Sequence, residues 1–382
     1  MINPPVPKLI SGAGSIKKLP EEIKKEGLSH ILIVTDNVLV RLGMLDGLFA
    51  ALEKSAIAYT LFDGVEQNPT IENMEAGLKA YLDHGCDGIV AFGGGSPMDC
   101  AKVIGALKSH PNQSVHSFRG YFKIKNELPP LFAVPTTAGT GSEVTVAAVV
   151  KDAKNHEKFG IGDKRLVPKW AILDPDLTVS LPPHITAATG MDALTHAVES
   201  YISRISFAIA DEYAEKAVRL ILANLENAYD NGSDIQARNN MLLASYYAGL
   251  AFTRTMVGYV HAIAHNLGGL YGIPHGLANA TILPYILDYS RKDAQTRLAR
   301  LAVVANIGEK DSSDETLSTM FIDRIRQMNT KMGIPSGFKE IREEDIPLIV
   351  KRTMAEAAFA YAPPTLMSAS QCDGMIRKLI PG

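Results

Sequence analysis

The sequence predicts an α/β domain followed by an all-α domain. Over the first half of the chain, short apolar or β-branched runs alternate with stretches of helical periodicity. That alternation is typical of a parallel sheet with crossover helices. From about Pro182 onward helical periodicity dominates, and a length of 382 residues favours two cores over one. We therefore expect an α/β domain over residues 1–181 and a helical domain over residues 182–382.

The predicted elements of the first domain follow one another in regular order. Strands are predicted over 31–35, 59–62, 88–92 and 131–134, and helices over 38–54, 71–84 and 96–109. Short β-prone pieces over 151–158 and 171–173 are placed at the domain junction. In the second domain, helices are predicted over 212–228, 237–251 and 293–305.

Composition narrows the class of protein and of partner. A hydrophobic fraction of 46% and a charged fraction of 21% are ordinary for a globular chain. A net charge of -3 without a dense basic cluster argues against nucleic acid and membrane surfaces, so we expect a small-molecule partner. The three cysteines form no CxxC pair, and the start of the chain has no apolar leader pattern. These observations predict a cytoplasmic protein.

A carboxylate and an imidazole lie one helical turn apart within residues 190–199. Met191, Leu194 and Val198 follow helical spacing, which leaves Asp192 and His196 together on another face. Both side chains lean the same way along a helix, so the pair can hold one metal ion. A solvated polar face is the ordinary alternative.

Three further histidines, His261, His265 and His275, fall within fifteen residues of a chain that has ten in all. His261 and His265 share one helical face. The helix is expected to end at residues that disfavour it and so return His275 toward it, namely Gly268, Gly269 and Pro274. Together with the Asp/His pair they predict a metal site, although spacing leaves open whether His265 or His275 belongs to it.

The predicted donors are oxygen and nitrogen, without thiolates. Such donors suit Fe(II), Zn(II), Mn(II) or Ni(II) and argue against a structural cysteine-zinc site. A site of this kind with an open position would serve as a Lewis acid.

A glycine-rich segment joins the third predicted strand to a predicted helix. In Gly93-Gly94-Gly95-Ser96, backbone amides can approach phosphate oxygens at the positive end of that helix. The segment lacks the complete GxGxxG pattern and a Walker A lysine. A purely structural role is the alternative, with Ser96 as N-cap, Pro97 in the first helical position and Asp99 closing a capping box.

A second loop of small residues leaves the next predicted strand. Four hydroxyl side chains lie in it: Thr136, Thr137, Thr140 and Ser142. Loops at the ends of neighbouring parallel strands face one edge of the sheet, which is where such sheets bind ligands. After the first predicted strand, Asp36 can accept hydrogen bonds from ribose hydroxyls and would repel a 2′-phosphate, which favours NAD over NADP. Alternatively, Asp36 caps the next helix.

Four motifs in order give the chain a family resemblance. They are GGGSPMDCAK from Gly93, PTTAGTGSEVT from Pro135, GMDALTHAVE from Gly190 and HAIAHNLGGLYGIPHGLANA from His261. In these motifs, over nearly its whole length, the chain resembles the iron-containing (group III) alcohol dehydrogenases, which are related to glycerol dehydrogenase and dehydroquinate synthase.

The resemblance implies roles for individual residues. Metal binding is implied for Asp192, His196, His261 and His275, with iron the usual metal of the family. His265 is implied to lie near the nicotinamide, where it is a candidate catalytic residue that relays a proton. Contacts with the cofactor are implied for the following positions: Asp36, Asn68, Gly94, Gly95, Ser96, Asp99, Thr136, Thr137, Thr140, Ser142, Lys158, Leu177 and His265.

The resemblance also implies a fold and an activity. The fold is an N-terminal Rossmann-like dinucleotide-binding domain with a C-terminal helical, metal-binding and catalytic domain of the dehydroquinate synthase type. The activity is that of a metal-dependent, NAD(P)-linked alcohol dehydrogenase or aldehyde reductase. Its substrate would be a small primary alcohol, and its assembly a homodimer or a higher homo-oligomer.

One residue departs from the family pattern. Arg254 follows Phe252 and Thr253, where family members often carry small or amide residues. We hypothesise that this cation favours an anionic or strongly polar substrate. The alternative is an arginine that faces solvent or pairs with a carboxylate.

Other functions remain as alternatives at this point. A glycerol dehydrogenase-like polyol oxidoreductase is close to the main prediction. A non-redox cyclase of the dehydroquinate synthase type would need more Lys and Arg near the motifs. A metal-dependent hydrolase would leave the Gly93 and Thr136 loops without a purpose. A non-catalytic binding module would show no turnover.

Overall fold

The chain forms two compact units, Met1–Ser180 and Leu181–Gly382. The computed structural model describes residues 4–155 and 157–381. The first unit is built on a parallel sheet with helices and the second is helical, so the predicted fold class is confirmed. Among the described residues, no helix combines the length and the apolar character needed to cross a bilayer.

Six parallel strands form the main sheet of the first unit. The strands are β1 (Lys8–Ser11), β2 (His30–Val34), β3 (Ala58–Phe62), β4 (Gly88–Gly93), β6 (Leu131–Pro135) and β9 (Trp170–Leu173). Their order across the sheet is β1-β9-β6-β4-β2-β3. Strand β1 is missing from the sequence prediction, because this short edge strand is mostly exposed and lacks an apolar alternation.

Helices cover both faces of this sheet. They are α1 (Leu19–Lys25), α2 (Asn37–Arg41), α3 (Asp46–Lys54), α4 (Ile71–Asp83) and α5 (Gly95–Ser109). Alternate residues of β2 enter different cores: Leu32 and Val34 pack with α4 and α5, whereas Ile31 and Ile33 pack with α1 and α3. Because both faces of β2 are covered, its residues on both faces must be apolar, and Ile31 to Val34 are.

Two parts of the first unit differ from the prediction. The single helix expected over 38–54 is two helices, because Gly43 has a φ of 67° and begins a turn between them. The β-prone piece over 151–158 lies in a small second sheet, in which β7 (Ala147–Asp152) and β8 (Glu157–Gly162) pair antiparallel with β5 (Gly120–Tyr121) beside β8. The piece over 171–173, which was placed at the junction, is instead β9 of the main sheet.

Eight α-helices make up the described part of the second unit. They are α6 (Pro183–Ile202), α7 (Ala208–Asp230), α8 (Ile235–Thr255), α9 (Tyr259–Tyr271), α10 (His275–Val304), α11 (Asp314–Lys331), α12 (Ile346–Ala360) and α13 (Ala369–Arg377). The helix expected over 293–305 is only the end of α10. Helix α6 is buried along most of its length.

Candidate metal centre and cofactor loops

Asp192 and His196 lie together in the middle of α6. Both side chains are buried, at 2% and 5% exposure. Helix α6 can be buried this deeply because Gly190 lets α7 approach closely: a Cβ atom there would lie 2.3 Å from Leu225. Close packing thus places a carboxylate and an imidazole, one turn apart, inside the second unit.

His261 and His275 come from two consecutive helices later in this unit, α9 and α10. His261 lies in the first turn of α9, and His275 is the first residue of α10. The prediction that Gly268 and Gly269 break the helix is wrong, because both lie within α9. The helix ends instead at Gly272, whose left-handed φ of 70° turns the chain toward α10.

The structure brings these four residues into one cluster. One potential ligand atom from each of Asp192, His196, His261 and His275 lies within 4.8 Å of all the others. The rings of His196 and His261 stack at 4.6 Å, and His275 Nε2 is 3.6 Å from Asp192 Oδ1. His275 is the most open member, with 42% of its side chain exposed.

The chemistry of this cluster fits a divalent metal ion. Burial, and then the neighbouring histidines, hold the pKa of His261 well below its usual value, so its imidazole is neutral. A neutral imidazole presents the lone pair that a metal ion needs. Three imidazoles and one carboxylate are also the donor types that Fe(II) and Zn(II) accept.

Asn279 is a residue of this site that sequence reasoning missed. Its side-chain amide is fully buried and donates to Asp192 Oδ1 at 2.6 Å. The same Nδ2 atom is 3.1 Å from Nε2 of both His261 and His275. One of its two hydrogens serves Asp192 and the other can serve one of the two rings, so Asn279 ties the carboxylate to the neighbouring histidines. Its position four residues after His275, one turn along α10, is the only sequence signal that would have indicated it.

Glu199 is the second missed residue. Helical spacing puts it on the same face of α6 as Asp192 and His196, but spacing alone indicates no role for it. The structure buries its carboxylate against the start of α9, where Oε2 lies 2.6 Å from His261 Nδ1. Burial raises the pKa of Glu199 to about 7, while hydrogen bonds from the α9 backbone oppose the rise.

His265 is close to the cluster but is bonded elsewhere. Its ring stacks on that of His275 at a centroid distance of 5.3 Å. Its Nδ1 is 2.7 Å from Glu356 Oε1, and 40% of the side chain is exposed. A Glu356 oxygen also accepts a hydrogen bond from the Tyr361 hydroxyl. His265 is therefore available for a role other than that of ligand.

Arg254 packs against a neighbouring helix and pairs with no carboxylate among the described residues. Its guanidinium carbon lies 5.5 Å from the centre of the Tyr213 ring, and Nη1 donates to the Leu250 carbonyl at 2.6 Å. Of the two alternatives to a substrate-facing arginine, the carboxylate pair is not found, and the side chain is partly exposed. The ring of Phe252, by contrast, stacks on His196 at 4.3 Å.

The two loops of the first unit meet at one edge of its sheet. Strands β4 and β6 are parallel neighbours, with Gly93 opposite Pro135. A Cβ atom on Gly94 would be 3.4 Å from Thr137 Oγ1, and one on Gly95 would be 3.1 Å from Thr140 Cγ2. The two loops therefore touch at these glycines, with little room for a side chain at Gly95.

The structural alternative for this loop is wrong in detail. Helix α5 begins at Gly95 with Gly94 as its N-cap, and no side chain caps it. Ser96 Oγ instead accepts a hydrogen bond from the backbone N–H of Asn68 at 3.2 Å. The two oxygens of Asp99 accept hydrogen bonds from Ser142 Oγ and the Val149 amide, both at 2.9 Å.

The remaining predicted cofactor residues lie around this edge or near it. Lys158 donates to the Asn68 side chain at 2.8 Å, which joins two residues far apart in sequence. Asp36 follows β2 and caps α2, with Oδ1 accepting the amides of Val38 and Leu39. Leu177 is partly buried against the core beneath α1 and α3.

Lys102 holds α5 to the second loop and was not predicted. Its ammonium group is fully buried and donates to Ser142 Oγ, Thr145 Oγ1 and the carbonyls of Thr145 and Ala147, at 2.8 to 3.1 Å. Burial lowers its pKa to about 8. This cation therefore fixes the relative position of the two loops.

Glu143 in the second loop is expected to make stability depend on pH. Burial raises its pKa from 4.5 to about 7, and its Oε1 has no hydrogen-bond partner among the described residues. Between those values the folded chain holds a proton that the unfolded chain releases, so the free energy of unfolding falls as pH rises. A shift from 4.5 to about 7 corresponds to ~3 kcal/mol.

The measurement compares Glu143→Gln with the wild type in urea unfolding across this pH range. The difference in free energy of unfolding between the two proteins should change steadily between pH 4.5 and about 7, because only the wild type can lose the Glu143 proton. Below that range the difference should be constant. A difference that stays constant throughout would contradict the assignment.

Comparison with known proteins places the chain among alcohol-oxidising enzymes. The model of the iron-containing alcohol dehydrogenase family matches residues 5–175, and that of the family's C-terminal domain matches residues 186–380. Alcohol dehydrogenase 4 of Schizosaccharomyces pombe is 39% identical over 355 residues, which cover 92% of this chain and 83% of the relative.

Two solved structures share the whole fold. A 1,3-propanediol oxidoreductase matches with a TM-score of 0.95 and 37% identity, over 99% of this chain and 100% of that one. A sulfoacetaldehyde reductase from Bifidobacterium kashiwanohense, in complex with NAD⁺, matches with a TM-score of 0.88 and 30% identity, over 100% and 99% of the two chains.

These matches cover both units and agree with the four motifs. They confirm the predicted resemblance and the predicted oxidoreductase class, an alcohol dehydrogenase or aldehyde reductase. The chain belongs to the iron-containing alcohol dehydrogenase family.

Proposed function

We propose that the protein catalyses reversible, metal-dependent hydride transfer between a small primary alcohol and NAD. The observation that carries this proposal is the convergence of Asp192, His196, His261 and His275 in the second unit. The first unit supports it with two touching glycine and hydroxyl loops at the carboxyl edge of a parallel sheet.

The metal ion would be held by these four residues. When bound, it supplies Lewis acidity to the alcohol or carbonyl oxygen of the substrate. With one carboxylate ligand and three imidazoles, which coordinate as neutral groups, a centre that holds a divalent ion would keep a net positive charge. Fe(II) is the first choice, with Zn(II), Mn(II) and Ni(II) as alternatives that the same donors accept.

The cofactor would be bound by the first unit. NAD supplies the hydride acceptor, and the amides at the start of α5 would hold its pyrophosphate. The second carboxylate oxygen of Asp36, Oδ2, would accept hydrogen bonds from the ribose hydroxyls. The negative charge of Asp36 would repel the 2′-phosphate of NADP. Further contacts are proposed for Asn68, Gly94, Gly95, Ser96, Asp99, Thr136, Thr137, Thr140, Ser142, Lys158 and Leu177.

His265 is proposed as the catalytic residue that exchanges the substrate proton and lies near the nicotinamide. Glu356 accepts a hydrogen bond from His265 Nδ1, and this bond fixes the orientation of the imidazole ring. With Nδ1 engaged, the proton would be exchanged at Nε2.

The substrate class proposed is that of small primary alcohols and diols with their aldehydes. The named activity of a structural neighbour, on 1,3-propanediol, supports including diols. Because Arg254 stacks on Tyr213, we give charged substrates no preference.

We further propose a cytoplasmic homo-oligomer, with a dimer as the smallest assembly. All three cysteines are free thiols and buried, which fits a reducing compartment. Light scattering of the purified protein will measure the assembly.

The test of function is anaerobic reconstitution of metal-free protein with Fe(II), Zn(II), Mn(II) or Ni(II), each in turn. We expect NADH to accumulate with 1-propanol or 1,3-propanediol in at least one case, and little NADPH with NADP. Accumulation of NADH also separates this function from a cyclase, which consumes no net NAD. Absence of turnover with every metal would overturn the proposal.

A further inference from the structure

Glu199 is a buried carboxylate that the proposed reaction does not use directly. It lies one turn after His196 on α6, and only 3% of its side chain is exposed. An ionised carboxylate is costly to bury unless several donors compensate it. The groups that compensate it therefore indicate what it does.

Two of its donors are backbone amides at the start of α9. Glu199 Oε2 accepts the Gly258 amide at 2.9 Å, and Oε1 accepts the Val260 amide at 2.8 Å. These amides have no partner within the helix, and the positive end of the helix favours a negative charge there. The carboxylate approaches so closely that a Cβ atom on Gly258 would lie 2.7 Å from Oε1.

The third partner is a candidate metal ligand. His261 Nδ1 lies 2.6 Å from Glu199 Oε2, so one hydrogen is shared between them. On the other side of the ring, the Asn279 amide nitrogen is 3.1 Å from Nε2, and its donation to Asp192 at 2.6 Å fixes which way this amide faces. A donor facing Nε2 means that Nε2 carries the lone pair and Nδ1 the hydrogen.

We propose that Glu199 is a positioning residue, which fixes the tautomer of His261 and the first turn of α9 so that His261 Nε2 points into the Asp192, His196 and His275 cluster. The inference rests on the proposed function, since it takes these four residues to be the metal ligands. A histidine ligand commonly donates its second ring N–H to a carboxylate, which sets the ring and strengthens the donor.

The first test is metal affinity of the Glu199→Gln variant. Glutamine keeps the size, but its amide nitrogen must replace one carboxylate oxygen. In place of Oε1 it faces the Val260 N–H, and in place of Oε2 it faces both the Gly258 N–H and His261 Nδ1, where it favours the wrong tautomer. In chelator competition with Co(II), we expect affinity to fall roughly 10- to 100-fold, and the visible absorption spectrum of the Co(II) protein to change. Circular dichroism of the metal-free variant should match that of the wild type.

A second variant and a matched control make the result decisive. Gly258→Ala leaves the carboxylate intact but displaces it, so it should weaken Co(II) binding in the same direction even if Glu199→Gln fails to fold. Glu226→Gln removes a carboxylate that pairs with Arg324 and Lys331, away from the cluster, and should keep wild-type affinity and spectrum.

The possible failures are distinguishable. Wild-type affinity and an unchanged spectrum in Glu199→Gln and Gly258→Ala, with metal bound by the wild type, would overturn the positioning role alone. No binding of Co(II) by the wild type itself would overturn the proposed function on which it rests.

Discussion

Substitution of His275 by alanine is expected to remove the metal ion, whereas substitution of His265 is expected to leave it bound. His275 Nε2 faces Asp192 Oδ1 at 3.6 Å within the cluster, but His265 Nδ1 is bonded to Glu356. Loss of one donor of four should weaken metal binding by more than the roughly 100-fold that loss of an outer partner costs. Activity should fall with the metal content.

His265→Ala should lose rate at full metal occupancy. Removal of a group that transfers a proton typically costs about 10²- to 10⁴-fold in rate. Elemental analysis of both variants after reconstitution, with kcat measured on the same samples, separates the two roles. Equal metal loss in both variants would show that His265 is also a ligand.

The second large effect is expected at Gly95. A valine there would place its Cβ 3.1 Å from Thr140 Cγ2 and add two methyl groups at the start of α5. The two loops would be forced apart, so that the α5 amides no longer face the phosphates. We expect NAD to bind on the order of 100-fold more weakly, equivalent to ~3 kcal/mol.

A matched control is Gly47→Val in α3, where a Cβ atom has no neighbour within 4 Å. Calorimetric titration with NAD should separate these two variants, and metal content should remain at the wild-type level in both. Unchanged NAD affinity in Gly95→Val would remove the first loop from the cofactor site.

The sequence predicted much of the fold because its strands are uniformly apolar and its loops carry glycine. Strands β4 and β6 and helices α4 and α5 agree with the predictions within a residue or so. Strand β1 was missed because it is short and exposed, and the single helix predicted over 38–54 failed because of local backbone geometry. The turn at Gly43 divides a pattern that is helical on both sides, and periodicity does not register such a turn.

The candidate site also contains some residues that the sequence predicted and others that it did not. Residues with distinctive chemistry, such as Asp192 and His261, were found from spacing and from the motifs. Glu199 and Asn279 were not, because a carboxylate and an amide are ordinary on helices, and their roles depend on which helices meet in space.

The origin of the cluster in three separate helices has a consequence for how the site forms. Asp192 and His196 come from α6, His261 from α9 and His275 from α10, with α7 and α8 between them in the chain. No short segment contains a complete ligand set, so an ion has little to bind before these helices have packed. We therefore expect the helical unit to fold before an ion binds, so that the ion would stabilise a finished structure rather than nucleate it.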